Sequence, residues 1–428
     1  MKNINESIYE YNRLKLHVIS TKKFKTITIL LRCKNILDKE SITERALLPF
    51  VLQSGTKEYD NPVKLRTYLD DLYGARLSVD VTKKGSFHIL SIRVDVVNDK
   101  FLPNKEKLLS QACKILADVL LNPVIENEGF KSEFVETEKR ILSQKLDAIY
   151  DDKMQYASQR ITEEMFENDD YKYNSLGISE DITKINSQSL FKIYEEIISN
   201  DEIDIYILGD IDKEEAKKNI EHSFGTFLSK TPNIKPLENK NKSNRDEVKE
   251  VKEEQDISQG KLNIGYFTNI TYKDEDYFAL QMFNGIFGGF SHSKLFINVR
   301  EKNSLAYFAN SRIESHKGIM LVMTGIEASK YKQANEIIDE QLEEMKKGNI
   351  TEKEIEQTKL VLINQILETL DTPRGLLELF YHNVVSNKER KFDEWINKLN
   401  SVTKEQIVKV ANKIEKDTIY FLSGKEAN

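Results

Sequence analysis

Two kinds of hydrophobic pattern alternate along the chain. Short, nearly continuous apolar runs of strand length occur as FKTITILLRC, FHILSIRVDVV and IDIYILGD in the first half. KLNIGYF, SLAYFANSRI, IMLVMTGI and TIYFLSG follow in the second. Between them lie longer stretches, residues 104–121, 127–150, 329–346 and 351–370, whose apolar positions recur every three and four residues. The first pattern predicts strands and the second amphipathic helices with one buried face. A further helix is expected to start at SITERALL, because Ser41 followed by Glu44 has capping-box spacing.

The alternation breaks between residues 229 and 256, SKTPNIKPLENKNKSNRDEVKEVKEEQD, where two prolines and many charges leave few apolar residues. This predicts an exposed linker dividing the chain into domains at 1–228 and 257–428. The halves look related. ETEKRILSQKLDAIYD at 136–151 can be laid on EQTKLVLINQILETLD at 356–371, and each half closes on a similar strand, IYILGD or IYFLSG. Duplication of one domain accounts for both matches. The expected fold class is α+β: two homologous domains, each a mostly antiparallel sheet covered by helices on one face.

Composition narrows the function classes. Charged residues are 31% and hydrophobic ones 39% of 428 residues, the balance of a soluble globular protein. The net charge of -7 argues against a nucleic-acid binder. No segment approaches the roughly 18 apolar residues of a membrane span, and the N-terminus lacks an apolar leader core, so a cytoplasmic protein is expected. Cys33 and Cys113 are far apart and read as buried thiols. No two of the six histidines lie three to five positions apart, so no helix offers a paired-imidazole metal site.

Two stretches stand out chemically. ALLPFVLQSGT, residues 46–56, is an apolar helix running into a Gly-Thr turn, with Pro49 where it removes a backbone donor and kinks the helix or shifts its start. Nothing in it can ligate a metal, donate a proton or attack a carbonyl. The other is FNGIFGGFSHSKLFINVREKNSLAYFANS, residues 283–311. It places Arg300 at a helix end and Tyr307 early in a strand. A guanidinium and a phenol there can both donate hydrogen bonds to an oxygen that becomes an oxyanion.

The two-half layout, the LQSGTKEY turn and LFINVREKNSLAYFANS together resemble the M16 family of zinc peptidases, the insulinase-like and mitochondrial-processing-peptidase-like group. The likeness covers the whole chain. It is greatest to shorter bacterial members that work in pairs, and among these to a Gram-positive group associated with modification of elongation factor P. Active members carry an HxxEH helix before the Gly-Thr turn and a glutamate ligand on a later helix. The resemblance places the first histidine at Ala46, the general base at Pro49, the second histidine at Phe50 and the later glutamate at Lys145. None of these can serve zinc chemistry. The family's substrate-binding Arg and Tyr, in contrast, match Arg300 and Tyr307. The resemblance therefore implies a non-catalytic, substrate-binding subunit with no metal or cofactor of its own. An HxxEH-bearing partner would hold the zinc, and Arg300 and Tyr307 would serve a peptide substrate in trans. It also implies strand addition of the peptide to an edge strand near the site. The alternative is a catalytically inactive peptide-binding or scaffold protein with the same fold. Neither nucleic acid nor membrane is an expected partner.

Overall fold

The computed structural model describes residues 4–103, 106–232 and 247–424. They form two units, Met1–Asp147 with Tyr173–Asn239, and Ala148–Lys172 with Lys240–Asn428. In the first unit the strands are β1 (Glu6–Glu10), β2 (Leu14–Ser20), β3 (Thr26–Ile36), β4 (Arg76–Lys84), β5 (Phe87–Val97), the short pair β6 (Ile125–Glu126) and β7 (Gly129–Phe130), and β8 (Glu202–Gly209). The second unit has β9 (Lys249–Gln255), β10 (Gly260–Phe267), β11 (Ala306–Glu314), β12 (Ile319–Ile326) and β13 (Glu415–Gly424). The helices needed below are α1 (Ile42–Gln53), α2 (Pro62–Asp71), α3 (Leu108–Leu121), α4 (Ser132–Asp151) and α5 (Lys153–Met165).

The main sheets run β1-β2-β8-β3-β5-β4 and β11-β12-β10-β13-β9. Without β1, the two orders coincide when the second is read backwards. β2 and β8 are the parallel pair of the first sheet, β9 and β13 that of the second, and every other neighbour is antiparallel. The stretches matched in sequence, 136–151 and 356–371, fall on α4 and on the helix Glu352–Leu370, equivalent long helices after equivalent sheet segments. The chain is a duplicated α+β domain.

Core formation follows the strand patterns. β3 is buried along most of its length, with Ile27, Ile29, Leu31 and Cys33 on the face that joins the helix-covered core. Ala112, Cys113, Leu116 and Leu120 of α3 lie in the same core, so both cysteines are buried free thiols. Burial pushes both thiols well above their ordinary range, because an apolar interior disfavours the thiolate. In the second unit helices cover both faces of the sheet, not one. Met165 of α5 packs where a Cβ on Gly265 would stand, while Tyr266, one residue on and so on the opposite face, lies by Asp339 of helix Tyr331–Lys346. Helix α5 reaches this sheet from an early part of the sequence, a long-range pairing that local periodicity does not encode.

Other expectations shift for local reasons. The helix expected from 127 begins at Ser132, because Asn127 and Glu128 both take positive φ and form the two-residue turn joining β6 to β7. Helix α3 starts at Leu108, whose amide donates to the Asp99 carboxylate; residues 104–105 lie outside the described residues. Of the stretch expected as linker, residues 233–246 lie outside the described residues. Residues 249–255 form β9, an edge strand whose KEVKEEQ sequence alternates partly buried and exposed positions. An edge strand needs only backbone pairing on one side, so so polar a run can still join the sheet. Among the described residues no helix is long and apolar enough to cross a membrane.

Candidate functional site

Helix α1 is continuous through Pro49, so the proline neither moves the helix start nor ends the helix. The expected capping box does not form. Ser41 makes no side-chain cap, and its hydroxyl instead donates to Asp38 at 3.3 Å. A buried ion pair anchors the helix. The Arg45 guanidinium donates to both Asp201 oxygens, at 3.0 and 2.7 Å, and its Nε points at His88 Nδ1 at 3.4 Å. His88 Nε2 in turn meets the Ser175 carbonyl at 2.9 Å. Burial, with the Arg45 charge second, pulls His88 down to about 3, so its imidazole is neutral: Nε2–H donates to Ser175 and Nδ1 accepts from Arg45.

The remaining residues of α1 present packing groups where chemistry was expected. Ala46 is 0% exposed and Pro49 is also buried, whereas Phe50 is half-buried. Spacings of three and four residues put Ala46, Pro49 and Phe50 on one side of the helix. Lys145 of α4 reaches this side, its Nζ 3.7 Å from the centroid of the Phe50 ring. One turn further along, the Ser54 hydroxyl lies 3.3 Å from Glu138 of α4 and 3.2 Å from the Phe50 carbonyl. Burial raises the Glu138 carboxyl, against the opposing effects of Ser54 and Lys145. The structure thus brings together two positions 95 residues apart, Phe50 and Lys145, that sequence alone connected only by resemblance. A methyl group, a pyrrolidine ring, a phenyl ring and an ammonium do not fit a zinc ion, which takes neutral imidazoles and carboxylates. Among the described residues, no group of three or more His, Cys, Asp or Glu could hold a metal.

The turn after α1 keeps its shape without that chemistry. A Cβ on Gly55 would lie 2.9 Å from the Tyr59 carbonyl oxygen, so the close approach requires glycine. The Thr56 amide donates to the Tyr59 carbonyl and the Thr56 hydroxyl accepts from the Tyr59 amide. Asn61 then caps α2.

Arg300 and Tyr307 occupy different surroundings. Helix Tyr277–Asn284 runs into a π-helical turn, Gly285–Gly289, and a second π-helical segment, Phe296–Lys302, carries Arg300. Wide turns of this kind are uncommon and recur at functional sites. Both are held in place. A Cβ on Gly288 would come within 2.6 Å of Ser311 on β11, whose hydroxyl donates to Asn284. Asn298 donates to Gln341 at 2.8 Å. Leu295 and Val299 are buried, while the Arg300 side chain is 44% exposed. Its guanidinium lies 4.6 Å from the Phe296 ring centroid and 3.8 Å from Glu301. Among the described residues it makes no hydrogen bond.

Tyr307 lies on β11, an edge of the second sheet, and the register against β12 shifts between Ala306 and Phe308. Tyr307 is the extra residue of that bulge, which turns its side chain out of the sheet pattern. It is 71% exposed, and its hydroxyl has no hydrogen-bond partner among the described residues. The second stretch therefore holds two exposed hydrogen-bond donors, one on a π-helical segment and one on a bulged edge strand. The bulge was not foreseen: SLAYFANSRI reads as an uninterrupted strand, and the only hint is the small Ala306 before the aromatic pair.

Several known proteins are similar to this chain. A profile described as "Peptidase M16 inactive domain" matches residues 184–362. The chain is 44% identical over 426 residues to the "Probable inactive metalloprotease YmfF" of Bacillus subtilis (strain 168), covering 100% of this chain and 99% of that one. It is 25% identical over 309 residues to that organism's "Uncharacterized zinc protease YmxG", covering 71% and 72%. A crystal structure of a conserved protein from Enterococcus faecalis V583 superposes with a TM-score of 0.91 at 37% identity, covering 99% and 100%. With an M16 profile matching residues 184–362 and 44% identity along its whole length to a relative named as a probable inactive metalloprotease, the chain belongs to the peptidase M16 family.

Proposed function

We propose that this chain is the non-catalytic, substrate-binding subunit of a heterodimeric M16-type zinc metallopeptidase. An HxxEH-bearing partner supplies the zinc and the general base, and Arg300 and Tyr307 donate hydrogen bonds to the peptide carbonyl under attack. The observation that carries this reading is the contrast within the chain: α1 and α4 meet through Phe50 and Lys145, while Arg300 and Tyr307 keep their donors uncommitted. Donors fixed before the reaction stabilise a developing oxyanion without reorganising. The bulged edge strand β11 leaves unpaired backbone groups beside Tyr307, suited to an extended peptide. That Bacillus subtilis carries both a relative named as inactive and one named as a zinc protease supports a division of labour between two chains.

The test is reconstitution. The isolated protein should bind no stoichiometric zinc and cleave no peptide. Mixed with its HxxEH partner, it should form a complex that cleaves peptides when the partner is loaded with zinc. A partner that is fully active alone, and unchanged by adding this chain, would overturn the reading. In that case the alternative holds, a catalytically inactive peptide-binding or scaffold protein with the M16 fold.

A further inference from the structure

We infer that Phe296 is a positioning residue for Arg300, an aromatic platform that fixes the guanidinium plane and leaves its hydrogen-bonding edge to the substrate. The inference rests on the proposed role of Arg300 and adds to it the group that makes that role work. Arg300 is a long side chain on a surface helix end, with several rotatable bonds and no hydrogen bond to hold it among the described residues. Left alone, such a side chain samples many rotamers, and ordering it on a substrate would cost affinity or rate.

Two contacts restrict it. Glu301 lies 3.8 Å from Nε, too far for a hydrogen bond, and both side chains are solvent-exposed, so that pair alone holds little. The Phe296 ring is the other, with the guanidinium carbon 4.6 Å from its centroid. A guanidinium over an aromatic face is attracted to the negative centre of the ring, and this attraction takes up no hydrogen-bond acceptor. The donors that would meet a carbonyl oxygen therefore stay free, whereas a carboxylate partner would have occupied them.

Phe296 can serve as a platform because its own position is fixed. Its neighbours Leu295 and Val299 are buried, its amide donates to the Ser293 hydroxyl at 3.3 Å, and Asn298 ties the same turn to Gln341. Phe296 is half-buried, so part of the side chain is accessible beside Arg300. The spacing of four residues places ring and guanidinium one turn apart on one side of the segment. Leucine at 296 would keep most of the packing and lose the ring face. Tyrosine would keep both.

The experiment uses the reconstituted complex and compares Phe296→Leu, Phe296→Tyr, Arg300→Ala and the double variant Phe296→Leu/Arg300→Ala. Circular dichroism and thermal melting check that each folds. Phe296→Tyr should keep kcat/KM within about twofold, and Phe296→Leu should lower it roughly three- to thirtyfold, the range of a partly desolvated cation–π contact. In the Arg300→Ala background, Phe296→Leu should have no further effect, because there is no guanidinium left to hold. A merely structural phenylalanine would give equal activity for Leu and Tyr, or an additive loss in the double variant; either result overturns the platform. Full activity of Arg300→Ala overturns both the platform and the reading of Arg300. Loss with Arg300→Ala and none with Phe296→Leu overturns the platform alone.

Discussion

The two stretches that stand out in sequence have opposite fates in the structure. The side of α1 that carries Ala46, Pro49 and Phe50 presents apolar groups, and the Lys145 ammonium lies over the Phe50 ring. The segment with Arg300 and the bulge at Tyr307 keep side chains exposed and, among the described residues, without a hydrogen-bond partner. A protein that had lost all function at both places would be expected to pair or bury Arg300 and Tyr307 as it did the other stretch. Keeping one stretch exposed while the other is packed is what the proposed supporting subunit would need.

The largest effect should come from the open site. In the reconstituted complex, Arg300→Ala should lower kcat/KM by about 10²–10³, the usual loss for one oxyanion donor, and Tyr307→Phe should lose somewhat less. Neither should change the melting temperature noticeably, because both side chains are exposed and neither makes a hydrogen bond within the described residues. A large drop in stability with either variant would place these residues in the fold and erase the contrast.

The first unit carries its sensitivity in stability instead. His17 on β2 is 2% exposed and stacked on Tyr206, with Nδ1 2.7 Å from Glu6 on β1 and Nε2 3.0 Å from Asp204 on β8. Both ring nitrogens face carboxylates, so both must donate and the ring is an imidazolium. Burial alone would lower its pKa, but the hydrogen bonds to Asp204 and Glu6 outweigh it and raise the group to about 9. A raised histidine stabilises the fold fully below its ordinary value near 6.5, and the contribution is lost as pH rises from there through about 9. The difference is on the order of 3 kcal/mol. Urea unfolding at pH 6 and pH 9.5 should show this loss, and His17→Gln should flatten the profile. Equal stability of the wild-type protein at both pH values would rule out the clamp.

Much of this arrangement was legible in the sequence. Strand runs, long helices and the duplication emerged because each depends on local periodicity or on a repeat within the chain. Arg300 at a helix end and Tyr307 early in a strand were placed well for the same reason. What could not be read depends on partners distant in sequence. Helix α5 covers a sheet of the second unit, Arg45 pairs with Asp201, and Lys145 finds Phe50. Ser41 and Glu44 had the spacing of a cap, yet the buried ion pair beside them fixes α1 without one. The strand KEVKEEQ was missed because an edge position relaxes the demand for apolar residues.

Pro49 gives a smaller test of the closed site. A proline inside a helix forfeits one backbone hydrogen bond and crowds the preceding turn. If only packing now matters there, Pro49→Ala should stabilise the protein by about 1–2 kcal/mol: the helix term near 3 kcal/mol is offset by lost burial and by greater freedom of the unfolded chain. Denaturant melts would show it. A destabilised variant would mean the proline shapes α1 for a purpose that packing does not explain.

The smallest expected effect concerns Lys145 and Phe50. The ammonium is exposed on one side, so its attraction to the ring is worth only about 0.5–1 kcal/mol. Lys145→Met keeps the length and removes the charge, Phe50→Leu keeps an apolar side chain and removes the ring, and the double variant closes a cycle. The coupling should be favourable and within that range. Lys145→Met should also raise the Glu138 carboxyl further, because the ammonium opposes the effect of burial there, so its midpoint in a titration of the variant's carboxyls should move to higher pH than in the wild type. A zero coupling with an unmoved Glu138 would mean that α1 and α4 meet there through apolar packing alone. The closed site would then be inert in every sense, and the contrast with Arg300 would be sharper still.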